Sequence, residues 1–264
     1  MDPGGLEAFY DAVPRLYGTT EEAGPFTVFI GAPDGWPLYA RPRLGGPGPF
    51  DGDAVRSLLE RMRELDVPLA IEWVHDVTPE LLDAVRAEGA LEVKELPLLV
   101  LLDDPEPPRV AADIVLRMLG PDDEELLASV RGVQELAFGP PIEPPPGVRQ
   151  RDAAGRAPSE AAREQLRSGD ARIAVAQHPE RGILAAGKHQ PVGEVTEVVG
   201  VATLPAEQGA GLASAVTQVL IDDARARGIR TIFLTASSER VARIYARLGF
   251  RRVATGYAAE AAQD

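Results

Sequence analysis

The second half of the chain shows the most regular pattern of apolar and polar positions. Short runs with alternating polarity predict strands, and a longer run whose apolar residues recur at the helical period predicts an amphipathic helix. The main predicted elements are strands over Ala171–Gln177, Gly182–Lys188 and Val195–Thr203, a helix over Leu212–Arg227, a strand over Thr231–Thr235, a helix over Ser238–Leu248 and a strand over Arg251–Tyr257. This order indicates a mixed α/β fold rather than a regular βαβ repeat.

Proline and glycine interrupt the pattern at two places. The segment Asp103–Pro108 is rich in acids and prolines and stands between two apolar runs, so it predicts a linker. We therefore expect a first domain over residues 1–104, a linker over 105–109 and a second domain over 110–264. The proline-rich loop Gly139–Gly147 cannot be a helix or a central strand, and its length is typical of a lid or a substrate-facing wall.

A glycine-containing loop precedes the predicted Leu212 helix. It consists of Gln208, Gly209, Ala210, Gly211, Leu212 and Ala213. Two glycines at the start of a helix let backbone N–H groups approach a ligand closely, and the helix N-terminus adds unpaired donors and a partial positive charge. The loop therefore predicts a binding site for a phosphorylated cofactor.

The two halves of the chain resemble each other when the sequence is shifted by 160 residues. The shift places Leu69–Val74 on Ile229–Leu234, and Gly89 on Gly249. A helix pattern also precedes and follows each of these strands in the same register. The agreement indicates an internal repeat.

The repeat also shows what the first half lacks. Pro49 stands at the position of Gly209 and has no N–H to donate, and Asp51 stands at the position of Gly211 and adds a carboxylate. A phosphate site in the first half is therefore not expected. We predict that this half is a scaffold or a wall of the substrate site, and that Trp36 and Trp73 are packing residues in it.

Composition narrows the range of functions. The 264 residues contain no cysteine and three histidines without metal-ligand spacing, so disulfides, thiolate nucleophiles and a metal site are not expected. The net charge of −14 disfavours a nucleic-acid partner. No apolar run approaches the length of a membrane span and no secretory signal is evident, so we expect a cytoplasmic protein without a membrane partner.

Two motifs together resemble the GCN5-related N-acetyltransferase (GNAT) superfamily. The first is Gln208-x-x-Gly211-x-Ala213, which resembles the pyrophosphate signature of that family. The second is Ser238–Phe250, a helix that ends in Tyr-x-x-x-Gly-Phe. The resemblance covers the chain from about Val110 onward, and the first half resembles a truncated, degenerate copy, as in tandem members of the family. It implies a tandem GNAT-like architecture and an acetyl-CoA co-substrate, with no metal.

The resemblance also assigns roles to particular residues. It implies that Val201 and Thr203 lie on the strand that binds the pantetheine arm, and that Gln208–Ala213 wrap the pyrophosphate. Ser238 stands where the family often has a cofactor-facing Asn, although Ser is also a good N-cap.

Two further residues receive catalytic roles from the resemblance. Glu197 is the candidate general base, with Glu194 or water as the alternatives. Tyr245 falls on the proton donor to the departing thiolate, and its other interpretation is a core aromatic residue.

The expected activity is direct transfer of the acetyl group of acetyl-CoA to an amine of a small molecule, with no covalent enzyme intermediate. The acceptor is expected near the proline-rich loop, and a homodimer is left open. The alternative is a non-catalytic acyl-CoA sensor or scaffold, which would need neither Glu197 nor Tyr245. His189 is interpreted as a surface histidine at a turn, or else as a residue that faces the acceptor.

Overall fold

The computed structural model describes residues 2–31 and 38–261, so Trp36 lies outside the described residues. The helices in these ranges are α1 (Pro3–Arg15), α2 (Gly52–Glu64), α3 (Leu81–Glu88), α4 (Leu127–Phe138), α5 (Val148–Ala154), α6 (Glu160–Ser168), α7 (Leu212–Ala226) and α8 (Glu239–Ala246). The strands are β1 (Gly18–Ala23), β2 (Phe26–Gly31), β3 (Ala40–Pro42), β4 (Ala70–Val74), β5 (Glu92–Leu101), β6 (Val115–Met118), β7 (Arg172–His178), β8 (Gly182–Val192), β9 (Val195–Thr203), β10 (Thr231–Thr235) and β11 (Phe250–Glu260). Among these described helices none is long and apolar enough to cross a membrane. The predicted mixed α/β fold is confirmed.

Backbone contacts divide the chain into two compact units. The first contains the residues up to Val100, the segment Thr235–Ala242 and the residues from Arg251 onward. The second contains Leu101–Leu234 and Arg243–Phe250. The predicted domain boundaries at 104 and 110 stay a prediction, and the C-terminal strand is counted with the first unit.

The first unit has the strand order β1-β2-β3-β4-β11-β5. Strand β11 pairs with β4 in antiparallel fashion, with Ala259 opposite Ile71. Trp73 is 1% exposed and stacks on Tyr257 with the ring centroids 5.3 Å apart, which confirms the packing role predicted for this tryptophan. The apolar core around it includes Phe26, Val28, Leu58, Leu59, Met62, Ile71 and Leu81.

The second unit has the strand order β10-β9-β8-β7-β6. Strands β9 and β10 run parallel, whereas the other neighbours are antiparallel. A side chain at Gly187 of β8 would meet Val216 and Leu220 of α7. Because neighbouring residues of a strand point to opposite faces, Lys188 lies on the face away from α7.

His189 occupies a position that neither interpretation of the sequence anticipates. Strand β8 continues to Val192 instead of ending near residue 188, and His189 is fully buried within it. Its Nδ1 lies 2.9 Å from Thr196 Oγ1 and its Nε2 lies 3.0 Å from Asp223 Oδ2 on α7. Both interpretations, a surface histidine and a residue facing the acceptor, are wrong.

Asp223 is the carboxylate on which both His189 and Arg172 converge. Burial raises the pKa of its carboxyl, but the hydrogen bonds from Arg172 and His189 outweigh burial and lower it to about 2. Arg172 contacts the carboxylate through two nitrogens, at 2.8 and 3.1 Å. His189 can therefore be buried, because α7 supplies a partner for its ring.

The internal repeat appears in the positions of the elements. Helix α2 begins at Gly52 and α7 begins at Leu212, which is the shift of 160 residues seen in the sequence. Gly89 and Gly249 both have a positive φ, of 70° and 85°, where a helix ends.

We expect the free energy of unfolding to decrease as the pH is lowered through the range where His189 titrates in the unfolded chain. Burial lowers the pKa of His189, and Asp223 offsets this only in part. The unfolded chain takes up a proton below the ordinary value of 6.5, whereas the folded protein keeps the imidazole neutral. The free energy of unfolding should therefore decline as the pH drops below that value, as urea titrations at a series of pH values can measure.

The variant His189→Gln keeps a donor and an acceptor but does not titrate, so its stability should depend less on pH in this range. His178→Gln, at the histidine that ends β7, is the matched control. A decline of the same size in His189→Gln as in the wild type contradicts the assignment.

Candidate functional site

Strands β9 and β10 pair over only part of their length and then diverge. Their parallel ladder joins three residue pairs, and the last of these is Phe233 with Glu197. Strand β9 continues for six residues beyond Glu197, to Thr203. An unpaired strand edge presents N–H and C=O groups that can bind an extended ligand. The segment Val198–Thr203 is such an edge.

A β-bulge marks the place where β9 leaves β10. Ala186 of β8 pairs with Ala202, but Lys188 pairs with Val199, so Gly187 faces the two residues Gly200 and Val201. Gly200 has a φ of 62°, which few residues other than glycine adopt readily. The bulge bends β9 and increases its local twist.

Gln134 of α4 holds the bulge from the side. Its Nε2 donates a hydrogen bond of 2.9 Å to the Gly200 carbonyl. A Cβ at Gly200 would lie 2.7 Å from the same Nε2. The sequence reasoning missed Gln134, because it precedes Gly200 by 66 residues and no local pattern connects the two.

The loop after β9 leads into α7 with its backbone donors open. A 3-10 turn over Pro205–Glu207 is followed by Gln208, and Gly209 and Gly211 have φ values of 87° and 78°. Gln208, Gly209 and Ala210 are exposed. The Ala215 N–H donates to the Gly211 carbonyl at 3.1 Å as the first bond of the helix. The N–H groups of the preceding residues have no partner within the helix, as at any helix N-terminus.

The matching helix in the first unit is already occupied by carboxylates. Asp51 caps α2 and accepts a hydrogen bond of 2.9 Å from the Ala54 N–H, and Asp53 lies in the first turn. Helix α7 has no acidic residue in its first turn. Its N-terminus can therefore bind an anion, whereas that of α2 repels one.

The backbone packing around Gly211 itself requires a glycine. A Cβ at this position would lie 2.8 Å from the Arg109 carbonyl oxygen, and its φ is positive. Any side chain at Gly211 would therefore disturb the fold. A clean test of anion binding needs another position of the first turn, such as Ala213.

Thr203 ends the open strand edge just before the loop. It is 9% exposed, and its buried Oγ1 has no hydrogen-bond partner among the described residues. A buried hydroxyl without a partner is costly, so this group is available to a ligand that lies along β9. Val201 lies in the bulge itself and is half-buried.

Glu197 is buried at the point where the ladder ends. It is 9% exposed and stands opposite Gln190 of β8, while Lys188 stands opposite Val199. These four residues share one face of the sheet, because they are paired or two residues apart. Burial lowers the pKa of the Lys188 ammonium, and the charge of Glu197 opposes that shift. Lys188 is a second residue of this region that the sequence reasoning missed.

Glu194 lies in a different environment, in the turn that joins β8 to β9. Its side chain is 61% exposed and lies 3.3 Å from Arg230 Nε. The Glu194 carbonyl also accepts the N–H groups of Arg230 and Thr231. This carboxylate is therefore solvated, whereas that of Glu197 is not.

Tyr245 lies in α8, and Ser238 is the residue just before that helix. Burial raises the pKa of the Tyr245 phenol to about 12, and its ring packs against Phe250 at 5.9 Å. Ser238 belongs to the first unit, where its Oγ accepts a hydrogen bond of 3.3 Å from the Val241 N–H. Its hydroxyl therefore caps α8, as its identity as a good N-cap indicated.

The parting strands, the open helix start and the two glycines fit the family that the motifs resemble. Residues 149–250 match the model of the acetyltransferase (GNAT) family. This match over residues 149–250 indicates an acyltransferase, and acetyl-CoA is the acyl donor that the GNAT family uses. No curated protein sequence matches the chain.

Solved structures with the GNAT fold match nearly the whole chain. A GCN5-related N-acetyltransferase from Kribbella flavida is 20% identical, with a TM-score of 0.72 over 99% of this chain and 96% of that one. A tandem GNAT protein from the clavulanic acid biosynthesis pathway is 16% identical, with a TM-score of 0.58 over 90% and 80%. A GCN5-related N-acetyltransferase from Sphaerobacter thermophilus is 18% identical, with a TM-score of 0.58 over 94% and 84%. At these identities the likeness shows the fold.

The variant Gln134→Ala tests whether α4 holds the β9 bulge. Loss of one hydrogen bond should lower the free energy of unfolding by about 1 kcal/mol, measured by urea denaturation. A looser bulge should also weaken the binding of coenzyme A roughly five- to tenfold in calorimetry. Glu135→Ala, at the exposed neighbouring residue of the same helix, should change neither quantity. Unaltered coenzyme A binding in Gln134→Ala would show that the bulge does not need this contact.

Proposed function

We propose that the protein transfers the acetyl group of acetyl-CoA directly to the amine of a small molecule. The observation that carries the proposal is the open edge of β9, which leads into a helix start with free donors and no carboxylate. In this proposal the pantetheine arm lies along Val201 and Thr203, and the Thr203 hydroxyl gains a partner. The pyrophosphate binds the backbone of Gln208–Ala213, where charge-assisted hydrogen bonds contribute about 1.5–3 kcal/mol each.

Glu197 is the proposed general base. An alkyl amine with a pKa near 10.4 is mostly protonated at neutral pH, and freeing it of its proton costs about 4.6 kcal/mol. A carboxylate beside the ammonium can take that proton, which frees the nitrogen lone pair to attack the thioester carbonyl carbon. The burial of Glu197, at the point where β9 leaves β10, supports this residue over the solvated Glu194.

Tyr245 is the proposed hydrogen-bond donor to the departing sulfur. Its pKa of about 12 lies above the value of about 8.5 that is typical of a thiol. Complete transfer of the phenolic proton to the thiolate is therefore unfavourable by about 4.8 kcal/mol. A hydrogen bond to the sulfur still stabilises its negative charge. The tyrosine thus assists departure, and the thiolate leaves with little further help.

The net charge of −14 is unfavourable for nucleic acid and compatible with a cationic acceptor, so we propose a small-molecule amine. The proposal leaves the association of two copies of the chain open, because catalysis needs no second copy.

Activity of two single variants tests the proposed chemistry. Thiol release from acetyl-CoA is measured across a panel of small amines for the wild type, Glu197→Gln and Tyr245→Phe. We expect Glu197→Gln to lower kcat by about 10²–10⁴-fold, since it removes the base. Tyr245→Phe should lower kcat by roughly 10–100-fold, the value of one hydrogen bond to a charged group. Tight binding of acetyl-CoA with no turnover on any amine would favour the alternative, an acyl-CoA sensor.

A charge placed in the first turn of α7 tests the phosphate site without disturbing the fold. In Ala213→Asp the new carboxylate should repel the pyrophosphate and weaken coenzyme A binding by about tenfold or more, measured by calorimetry. The same charge favours the helix N-terminus, so the free energy of unfolding should not fall. Ala213→Asn has nearly the same shape without the charge and is the matched control. Equal affinity of the Asp and Asn variants would remove the pyrophosphate from this helix.

A further inference from the structure

Lysine is rare in this chain, and one of its few uses is inside the sheet. The sequence has 27 basic residues, of which only Lys94 and Lys188 are lysines. Lys94 is on the surface, where its side chain is 59% exposed and lies 3.1 Å from Glu260. Lys188 is in β8, a central strand of the second unit. An ammonium group within a central strand therefore needs a physical explanation.

The register of the sheet places Lys188 beside Glu197. Lys188 pairs with Val199, and Glu197 is two residues earlier on the same strand. Such diagonal neighbours on one face have Cα atoms about 7–8 Å apart, within reach of two long side chains. The charge of Glu197 raises the pKa of the Lys188 ammonium and so opposes the effect of burial.

The nearby charges of the same sheet are directed elsewhere. His189, the next residue of β8, points to the opposite face and contacts Asp223 of α7. Arg172 contacts the same carboxylate. Among the residues of β8 and β9, the charged side chains on the face away from α7 are therefore Lys188 and Glu197.

We propose that Lys188 is a positioning residue for the proposed base and holds the buried Glu197 carboxylate in its ionised form. The inference rests on the proposed function, because it assigns Lys188 a task through Glu197. A carboxylate removed from water favours its protonated form, in which it cannot accept a proton from the acceptor. An ammonium on the same face favours the ionised form and thereby keeps the base ready at neutral pH.

The chemistry of lysine suits this position. An ammonium is a compact point charge that needs no planar, bidentate partner, whereas a guanidinium does best with one. Removing one member of a buried pair leaves the other charge without compensation. Loss of Lys188 should therefore change the protonation of Glu197.

The first experiment reads Glu197 directly and needs no acceptor. Full-length protein is labelled with ¹³C at the glutamate carboxyl carbons, and the Glu197 signal is identified by its absence in Glu197→Gln. We expect the titration midpoint of this signal to rise by about one pH unit or more in Lys188→Met. Lys188→Arg keeps the charge and should leave the midpoint close to the wild-type value. Lys94→Met, at the other lysine, is the matched control and should leave it unchanged.

An unchanged midpoint in Lys188→Met overturns the inference, as does an equal shift in Lys94→Met. If Lys188→Met does not fold, Lys188→Gln provides a second neutral side chain. An unchanged midpoint in Lys188→Gln, or an equal shift in Lys94→Met, then overturns the inference. The second readout is the pH profile of kcat/KM with acetyl-CoA and the best amine of the panel. Its acid limb should move to higher pH in Lys188→Met and recover in Lys188→Arg, which a merely structural role would not produce.

These outcomes separate the inference from the proposed function. If Glu197→Gln keeps full activity, the proposed base is wrong, whatever Lys188 does to the midpoint. If Glu197→Gln is inactive and the midpoint does not respond to Lys188→Met, the base stands and the inference fails.

Discussion

The arrangement of the second unit depends on the backbone of β9 beyond Glu197, which does not pair with β10. Backbone N–H and C=O groups in a protein are nearly always paired, so a strand that leaves its neighbour needs a local cause. Here the cause is the bulge at Gly200 opposite Gly187, where β9 bends just after its last pair with β10. Gln134 satisfies the carbonyl at the bend and so stabilises the opening. The β9 edge beyond Glu197 is thereby kept apart from β10.

The same principle distinguishes the two copies of the repeat. In the first unit the side chain of Asp51 takes up a first-turn N–H of α2, so this helix start needs nothing from outside. In the second unit Gly211 occupies the equivalent position and offers no side chain, so the N–H groups of α7 need an external acceptor. The cap residue thus separates a helix start that is satisfied by its own side chain from one whose N–H groups stay open. Asp51 also explains why the first copy can be a scaffold.

Much of this could be read from the sequence, because the signals were local. The glycines before Leu212, the helical period after it and Ser238 as a cap each depend on residues within one turn of each other. The repeat at 160 residues was also visible, since each copy keeps its own order of strand, helix and glycine. The mixed α/β fold followed from these elements.

The remaining features depend on partners that are distant in sequence. His189 looked like a turn residue because its neighbours are polar, and only Asp223 on α7 makes its burial favourable. Gln134 and Lys188 belong to no motif, and their roles come from the packing of α4 and from the register of β8 against β9. No local pattern contains that information.

The last strand has a consequence for how the protein is made. β11 lies between β4 and β5 in the first unit, and Glu260 pairs with Ala70. During synthesis the first hundred residues emerge long before this strand does, so β4 and β5 wait with facing edges unpaired and Trp73 waits without Tyr257. Contacts between residues so far apart in the chain form late, because closing a long loop costs entropy before any pairing is gained. The first unit therefore cannot be completed until β11 has been synthesised, long after β4 and β5.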